Sequence, residues 1–199
     1  MTQAIAKNLP AWLSLSAVGA VVTLTRPSQA NSIDVETLNL RNPTVREVRA
    51  ADRAANGDDE QRELMLFAGL AEVGLKDLEG LKLADYRRVQ AAYSHLVPKT
   101  DYSKSMPAWL SLTTDQVLVT LSCPSEINGV TVDKLALRSP TVGDVRAANR
   151  EVSGDDEQRE LVLFAALSGA SVADLEGLKL VDFNRLQAGY FRMDNDDGL

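Results

Sequence analysis

The chain has 199 residues, 45% of them hydrophobic and 25% charged, the balance of an ordinary globular protein. A formal net charge of −7 and a pI near 4.8, with arginines scattered among acids and no basic stripe, exclude a nucleic-acid-binding role. One cysteine, Cys123, excludes an internal disulfide and points to a reducing compartment. No apolar run approaches the roughly 20 residues that span a bilayer, and the first ten residues lack the pattern of a signal peptide. The expected setting is the cytoplasm, with no membrane partner.

Both halves open on the same words. Leu9-Pro-Ala-Trp-Leu-Ser-Leu15 returns as Met106-Pro-Ala-Trp-Leu-Ser-Leu112, an offset of 97 (107 − 10 for the proline) that holds without a gap. Gly57-Asp-Asp-Glu-Gln-Arg-Glu-Leu64 recurs unchanged as Gly154 to Leu161, and Asp77 to Leu83 as Asp174 to Leu180. More than half of the aligned positions are identical. Solenoid repeats run 20–50 residues, so each copy is read as a domain with its own core. The expected division is a first module at 1–97, a polar linker at 98–105, a second module at 106–193 and an acidic tail at 194–199.

Each module starts with strand patterns. Trp12 to Ser16 alternates, with Leu13 and Leu15 on one face and Trp12 and Ser14 on the other; Val21 to Thr25 alternates with Val22 and Leu24 sharing a face. Ala17-Val-Gly-Ala20 suits the turn between them, and Pro27 and Pro124 are expected to end the second strand. Leu38-Asn-Leu40 and Leu135-Ala-Leu137 supply a third strand.

Helices follow. Thr44-x-x-Glu47 and Thr141-x-x-Asp144 have the form of a capping box, in which a hydroxyl and an acid each satisfy a free backbone N–H. The first helix presents Val45, Val48, Ala51 and Ala55, and Gly57 ends it. Asp58 caps a second helix whose later part is apolar nearly all round, hence buried. Ser171-x-x-Asp174 caps a short third helix, for which the first copy has Gly74. The last helix carries Leu83, Tyr86, Val89, Tyr93 and Leu96 on one face. The fold class is α+β, a tandem duplicate of a short antiparallel sheet followed by three to four helices.

Comparing the copies filters the candidate chemistry. His95 becomes Arg192, and Cys123 stands where the first copy has Arg26, so a site shared by both copies has neither His nor Cys. No phosphate loop or zinc spacing is present. Asp58-Asp59-Glu60 could suggest a metal, but acids in a first helical turn complement the helix dipole, and consecutive positions point in different directions. No catalytic residue, cofactor or metal is expected. Asp85 and Asp182, early in the last helix, read as caps. Trp12 and Trp109 either seal the sheet–helix core or anchor a partner, tryptophan being enriched at interface hot spots. Arg41 and Arg138 suit an ion pair with a helix acid. The candidate partner-binding residues are Trp12, Trp109, Arg41, Arg138, Val48 and Val145.

Val22-Thr-Leu through Pro27, Leu38-x-Leu-Arg41-x-Pro-Thr, Asp77-Leu-Glu-Gly-Leu81 and Ala84-Asp-Tyr86 resemble the phage tail assembly chaperones of the Mu-like class. Val119-Thr-Leu, Pro124, Asn128-Gly129, Leu135-x-Leu-Arg138-x-Pro-Thr, Leu175 and Asp182-Phe183 carry the likeness in the second copy. The resemblance implies a phage or prophage morphogenesis protein without enzymatic activity. It would bind the long tape measure protein, keep it soluble, and assist assembly of the tail tube, with the tail-tube protein as a further partner and self-association as a further property. A component that stays in the finished tail, or in a tail-like particle, is the alternative.

Overall fold

A computed structural model describes residues 9–99 and 106–194. The linker expected at 98–105 and the tail expected at 194–199 fall mostly outside the described residues. By their contacts, residues 9–43 and 47–99 make a first compact unit, and residues 44–46 and 106–194 a second. Each unit holds a three-stranded antiparallel sheet followed in sequence by helices, the expected α+β class.

The first sheet is β1 (Leu13–Leu15), β2 (Gly19–Ala30) and β3 (Ile33–Arg41), with β2 in the middle. Helices α1 (Val45–Ala55), α2 (Asp59–Ala71), α3 (Leu75–Glu79) and α4 (Leu83–Leu96) follow. The second copy repeats this order in β4 (Leu110–Leu112), β5 (Gln116–Ile127), β6 (Val130–Arg138), α5 (Val142–Glu151), α6 (Asp156–Ser168), α7 (Val172–Gly177) and α8 (Leu180–Asp194).

The sheets differ from the sequence expectation at the prolines. Pro27 and Pro124 do not end their strands. Thr23 pairs with Thr37, and pairing resumes only at Ser28 with Val35, so four residues of β2 lie opposite the single residue Glu36. The second sheet breaks identically between Thr120 and Ser125. Proline lacks an N–H for the ladder, and it sits inside this bulge, where no ladder bond is asked of it. Beyond the bulge both hairpins close on two residues of positive φ, Asn31-Ser32 and Asn128-Gly129, the backbone of a tight primed turn.

The helical signals act as expected where they are strongest. Asp58 and Asp155 accept from the N–H groups of Gln61 and Gln158, at 3.0 and 2.8 Å. Thr141 with Asp144, and Ser171 with Asp174, form reciprocal capping boxes. Asp77 also accepts from the Gly74 N–H at 3.0 Å, so the glycine start keeps the acid half of the box. Val89 and Leu96 are buried, but Leu83 is 63% exposed and leaves the apolar face assigned to it. It occupies the first position of α4.

The cores centre on Phe67 and Phe164, each essentially inaccessible to solvent. Their rings lie 5.3 Å from Tyr93 and 5.2 Å from Tyr190, tilted rather than stacked. The two cores trade volume at one contact. The first unit has Ala20 on the sheet and Ala92 on α4; the second has Val117 and Gly189 at the same places. A methyl group added at Gly189 would meet Val117 Cγ2 at 2.9 Å. The larger strand residue is accommodated by the smaller helical one, which keeps packing density constant. Val45, expected in the first module's helix face, is 3% exposed and belongs to the second unit's core cluster.

Candidate functional site

The bulge in β2 creates the first site feature. It takes Thr25 out of the ladder and leaves its N–H without a strand partner. Asp85, in the first turn of α4, supplies one: its carboxylate accepts from the Thr25 N–H at 2.7 Å and from the Thr25 hydroxyl at 2.8 Å. Asp182 does the same for Ser122, at 2.6 and 2.8 Å. Both carboxylates are buried, 1% and 0% exposed. They were expected to cap their helices. Their side chains instead bolt the last helix to the broken strand, because burial makes each carboxylate costly to leave unpaired and the bulge presents two donors to it.

An arginine one turn later completes the arrangement. Arg88 Nη1 donates to the Thr23 carbonyl at 2.6 Å and lies 3.8 Å from Asp85. Arg185 Nη1 donates to the Thr120 carbonyl at 2.8 Å and pairs with Asp182 at 3.2 Å. These guanidinium groups cover the indoles, Arg88 5.5 Å from the ring centroid of Trp12 and Arg185 5.4 Å from that of Trp109. Such contacts are worth about 0.5–2 kcal/mol depending on desolvation. Trp12 stands in a turn ahead of β1, in which the Leu13 N–H bonds the Pro10 carbonyl at 2.9 Å. It is not a strand residue facing away from the helices, as the alternation suggests. The turn brings its half-buried ring round to α4 and against the core.

Arg41 and Arg138 form the helix-acid ion pairs expected of them. Arg41 reaches Glu47 at 2.8 Å, Glu72 at 3.0 Å and the Gly69 carbonyl at 3.0 Å, tying the end of β3 to α1 and α2. Arg138 takes Asp144 bidentately, at 2.8 and 2.6 Å. That guanidinium, then the Thr141 hydroxyl and N–H, hold the Asp144 carboxyl well below the ordinary carboxylate range. Glu47, ahead of Glu72, likewise holds the Arg41 proton more firmly than usual.

Of the six candidate residues, Arg41 joins the α1 end of its sheet and Trp12 the α4 side. Trp12 is level with Thr23 on β2, and Arg41 is level with Gly19 and lies on the opposite edge strand. Four residues along the strands and two strand spacings across separate them, roughly 13 Å and 10 Å. Val48 is half-buried on α1, packed against the first core; Val145 on α5 is 37% exposed, next to Val142 at 78%. The first unit's candidates thus lie in two places and form no single patch.

Two grooves open on the helical side of the first unit. One, about 290 Å³, runs between α1 and α2 and is floored by Ala50, Ala54, Gly69 and Leu70, with Met65 and Glu47 at its margins. The small side chains allow close backbone approach. The other, about 420 Å³, is bounded by α2, α3 and α4 and lined by Leu64, Leu78, Leu81, Leu83 and Tyr86, together with Glu60, Glu63, Glu79 and Gln90. At its margin the Tyr86 hydroxyl donates to Glu63 at 2.7 Å; burial first, and that bond second, push the phenol above its ordinary range. Neither groove follows from sequence periodicity, because each depends on how helices distant in sequence meet.

Among the described residues no group of three or more His, Cys, Asp or Glu is placed to hold a metal, and no helix is long and apolar enough to cross a membrane. Asp59 and Glu60 lie in the first turn of α2, after the Asp58 cap. The Asp85–Arg88 anchor was missed from sequence, although Asp-x-x-Arg recurs at both copies' last helix.

The family model described as "Phage tail assembly chaperone proteins, E, or 41 or 14" matches residues 21–98 and again 118–195, more than half of the chain and once in each copy. No curated protein matches the chain, and no solved structure does.

Proposed function

The chain belongs to the phage tail assembly chaperone family, and from that premise we propose that it binds the phage tape measure protein, keeps it soluble, and assists tail-tube assembly in the host cytoplasm without catalysis. The observation that carries this reading is the α1–α2 groove of the first unit, floored by small and apolar side chains. A helix with an apolar stripe fits such a groove. Before assembly a tape measure protein presents many such stripes in series. Two modules on one chain raise the local concentration of the second site, which adds avidity without new contacts. In the second unit Val145 on α5, at the position of Val48, offers an exposed apolar side chain. Val48 supports the first groove's helix. Arg41 and Arg138 fix α1 and α5 to their sheets, and their exposed edges can meet acids on the partner. Trp12 and Trp109, held by Arg88 and Arg185, serve as secondary contacts at the other end of each sheet.

The test is co-expression of the chain with the tape measure protein of the same phage, followed by pull-down. Gly69→Leu puts a bulky side chain into the α1–α2 groove, and an added Cβ there meets nothing within 4 Å. Combined with Val145→Asp it is expected to cut capture at least tenfold while circular dichroism stays unchanged. Undiminished capture by the double variant sinks the proposed surface. Mass spectrometry of purified tails separates a chaperone, absent from the particle, from a tail component that remains.

A further inference from the structure

The second unit shows what its own version of the α2–α3–α4 groove holds. Position for position, 97 residues on, Leu64, Leu78, Leu81 and Tyr86 become Leu161, Leu175, Leu178 and Phe183. In the second unit these four share one core cluster with Val45. The Val45 N–H donates to the Leu178 carbonyl at 3.1 Å, and Thr44 forms an antiparallel bridge with Lys179. Arg46 adds a bond to the Ala173 carbonyl at 3.1 Å and lies 3.8 Å from Glu176. A Pro-Thr-Val segment at a helix start is thus the plug, and the α7–α8 junction is the socket.

The sequence writes both parts twice. Pro140-Thr141-Val142 repeats Pro43-Thr44-Val45, and Leu81-Lys82-Leu83 repeats Leu178-Lys179-Leu180. Their second occurrences are open. Val142 is 78% exposed where Val45 is 3%, and Leu83 is 63% exposed where Leu180 is half-buried. The groove of about 420 Å³ lies at that socket.

We propose that a second copy of this chain seats its Pro140-Thr141-Val142 segment in the first unit's α2–α3–α4 groove, with Val142 among Leu64, Leu78 and Leu81 and its N–H on the Leu81 carbonyl. Thr141 already holds extended backbone, φ −105 and ψ 159, suited to a bridge with Lys82. Gly143 stands where the first copy has Arg46, so the ion pair is not repeated. The Arg46 side chain is 60% exposed, and pairs that open to water contribute little. The contact therefore rests on the apolar plug and the backbone bridge. Plug and socket are different surfaces, so the association is heterologous and runs on as an open chain, or closes as a ring. This inference is independent of the tape measure reading.

Sedimentation velocity on the full chain tests it. Wild type is expected to shift to species larger than the monomer as concentration rises. Val142→Asp and Leu83→Asp, both exposed positions, are each expected to sediment as folded monomers. A mixture of the two variants is the decisive arm: the first keeps a good socket and the second a good plug, so they should form one heterodimer and nothing larger. A wild type that stays monomeric throughout, variants that associate like wild type, or a mixture that forms no dimer overturns the proposal.

Discussion

The Asp182 carboxylate accepts both donors of Ser122, the N–H at 2.6 Å and the hydroxyl at 2.8 Å, at a position with no solvent exposure. The bulge around Pro124 creates the need for that acceptor, and α8 meets it. Truncating the aspartate leaves the Ser122 N–H and the Arg185 guanidinium without a partner they now have. Asp182→Ala is expected to destabilise the second unit by about 1–3 kcal/mol. Urea unfolding in a Trp12→Phe background, where Trp109 is the one indole reporting, measures it.

The exchange of volume between Val117 and Gly189 yields a second expectation. Gly→Ala in a helix interior ordinarily stabilises by about 1 kcal/mol. At Gly189 the new methyl group would press on Val117 at 2.9 Å, and overpacking costs about 1–3 kcal/mol. Gly189→Ala is therefore expected to fall at or below wild type. Adding Val117→Ala, which recreates the first unit's pair of alanines, should recover stability. A double-mutant cycle by chemical denaturation should give a favourable coupling of about 1 kcal/mol or more.

Ser32 holds φ 67 in the turn where the second copy has Gly129 at φ 75. A side chain in the left-handed region costs about 1–2 kcal/mol, and glycine removes that cost while losing some unfolded-state entropy. Ser32→Gly is expected to stabilise the first unit by a few tenths to about 1 kcal/mol. A rise in the urea midpoint in a Trp109→Phe background, where Trp12 is the one indole reporting, is the readout.

Burial raises the pKa of Glu160 above its ordinary value, a shift that the Gln187 bond opposes and Glu157 reinforces. The native state thus binds this proton more tightly than the unfolded chain. Its contribution is fully present below the ordinary pKa of 4.5 and is lost as pH rises through the native value. Glu160→Gln keeps an acceptor for Gln187, now at 2.7 Å, and carries no charge to desolvate. Its stability relative to wild type should grow across that interval and then level off. Denaturation midpoints measured from pH 4 to pH 7 test this; a constant difference would refute the desolvation account.

The chain's own letters settle much about it. The offset of 97 fixes two copies of one α+β module. The Asp, Thr and Ser caps mark helix starts because their hydroxyls and carboxylates satisfy backbone groups only a few residues away. The alternation of Val22, Leu24, Leu38 and Leu40 places the strands' inner face, since side-chain period is a local property of the backbone. Even the lack of a shared His or Cys is plain from aligning the halves. The tertiary structure decided what depends on distant neighbours. Pro27 stays within its strand because a bulge releases it from the ladder, and Asp85 becomes a buried anchor because that bulge lies beneath α4. Trp12 turns to Arg88 because the chain bends before β1. Val45 and Val142 share the Pro-Thr-Val segment and differ in exposure from 3% to 78%. What packs against each of them separates the two, and the shared segment cannot record that.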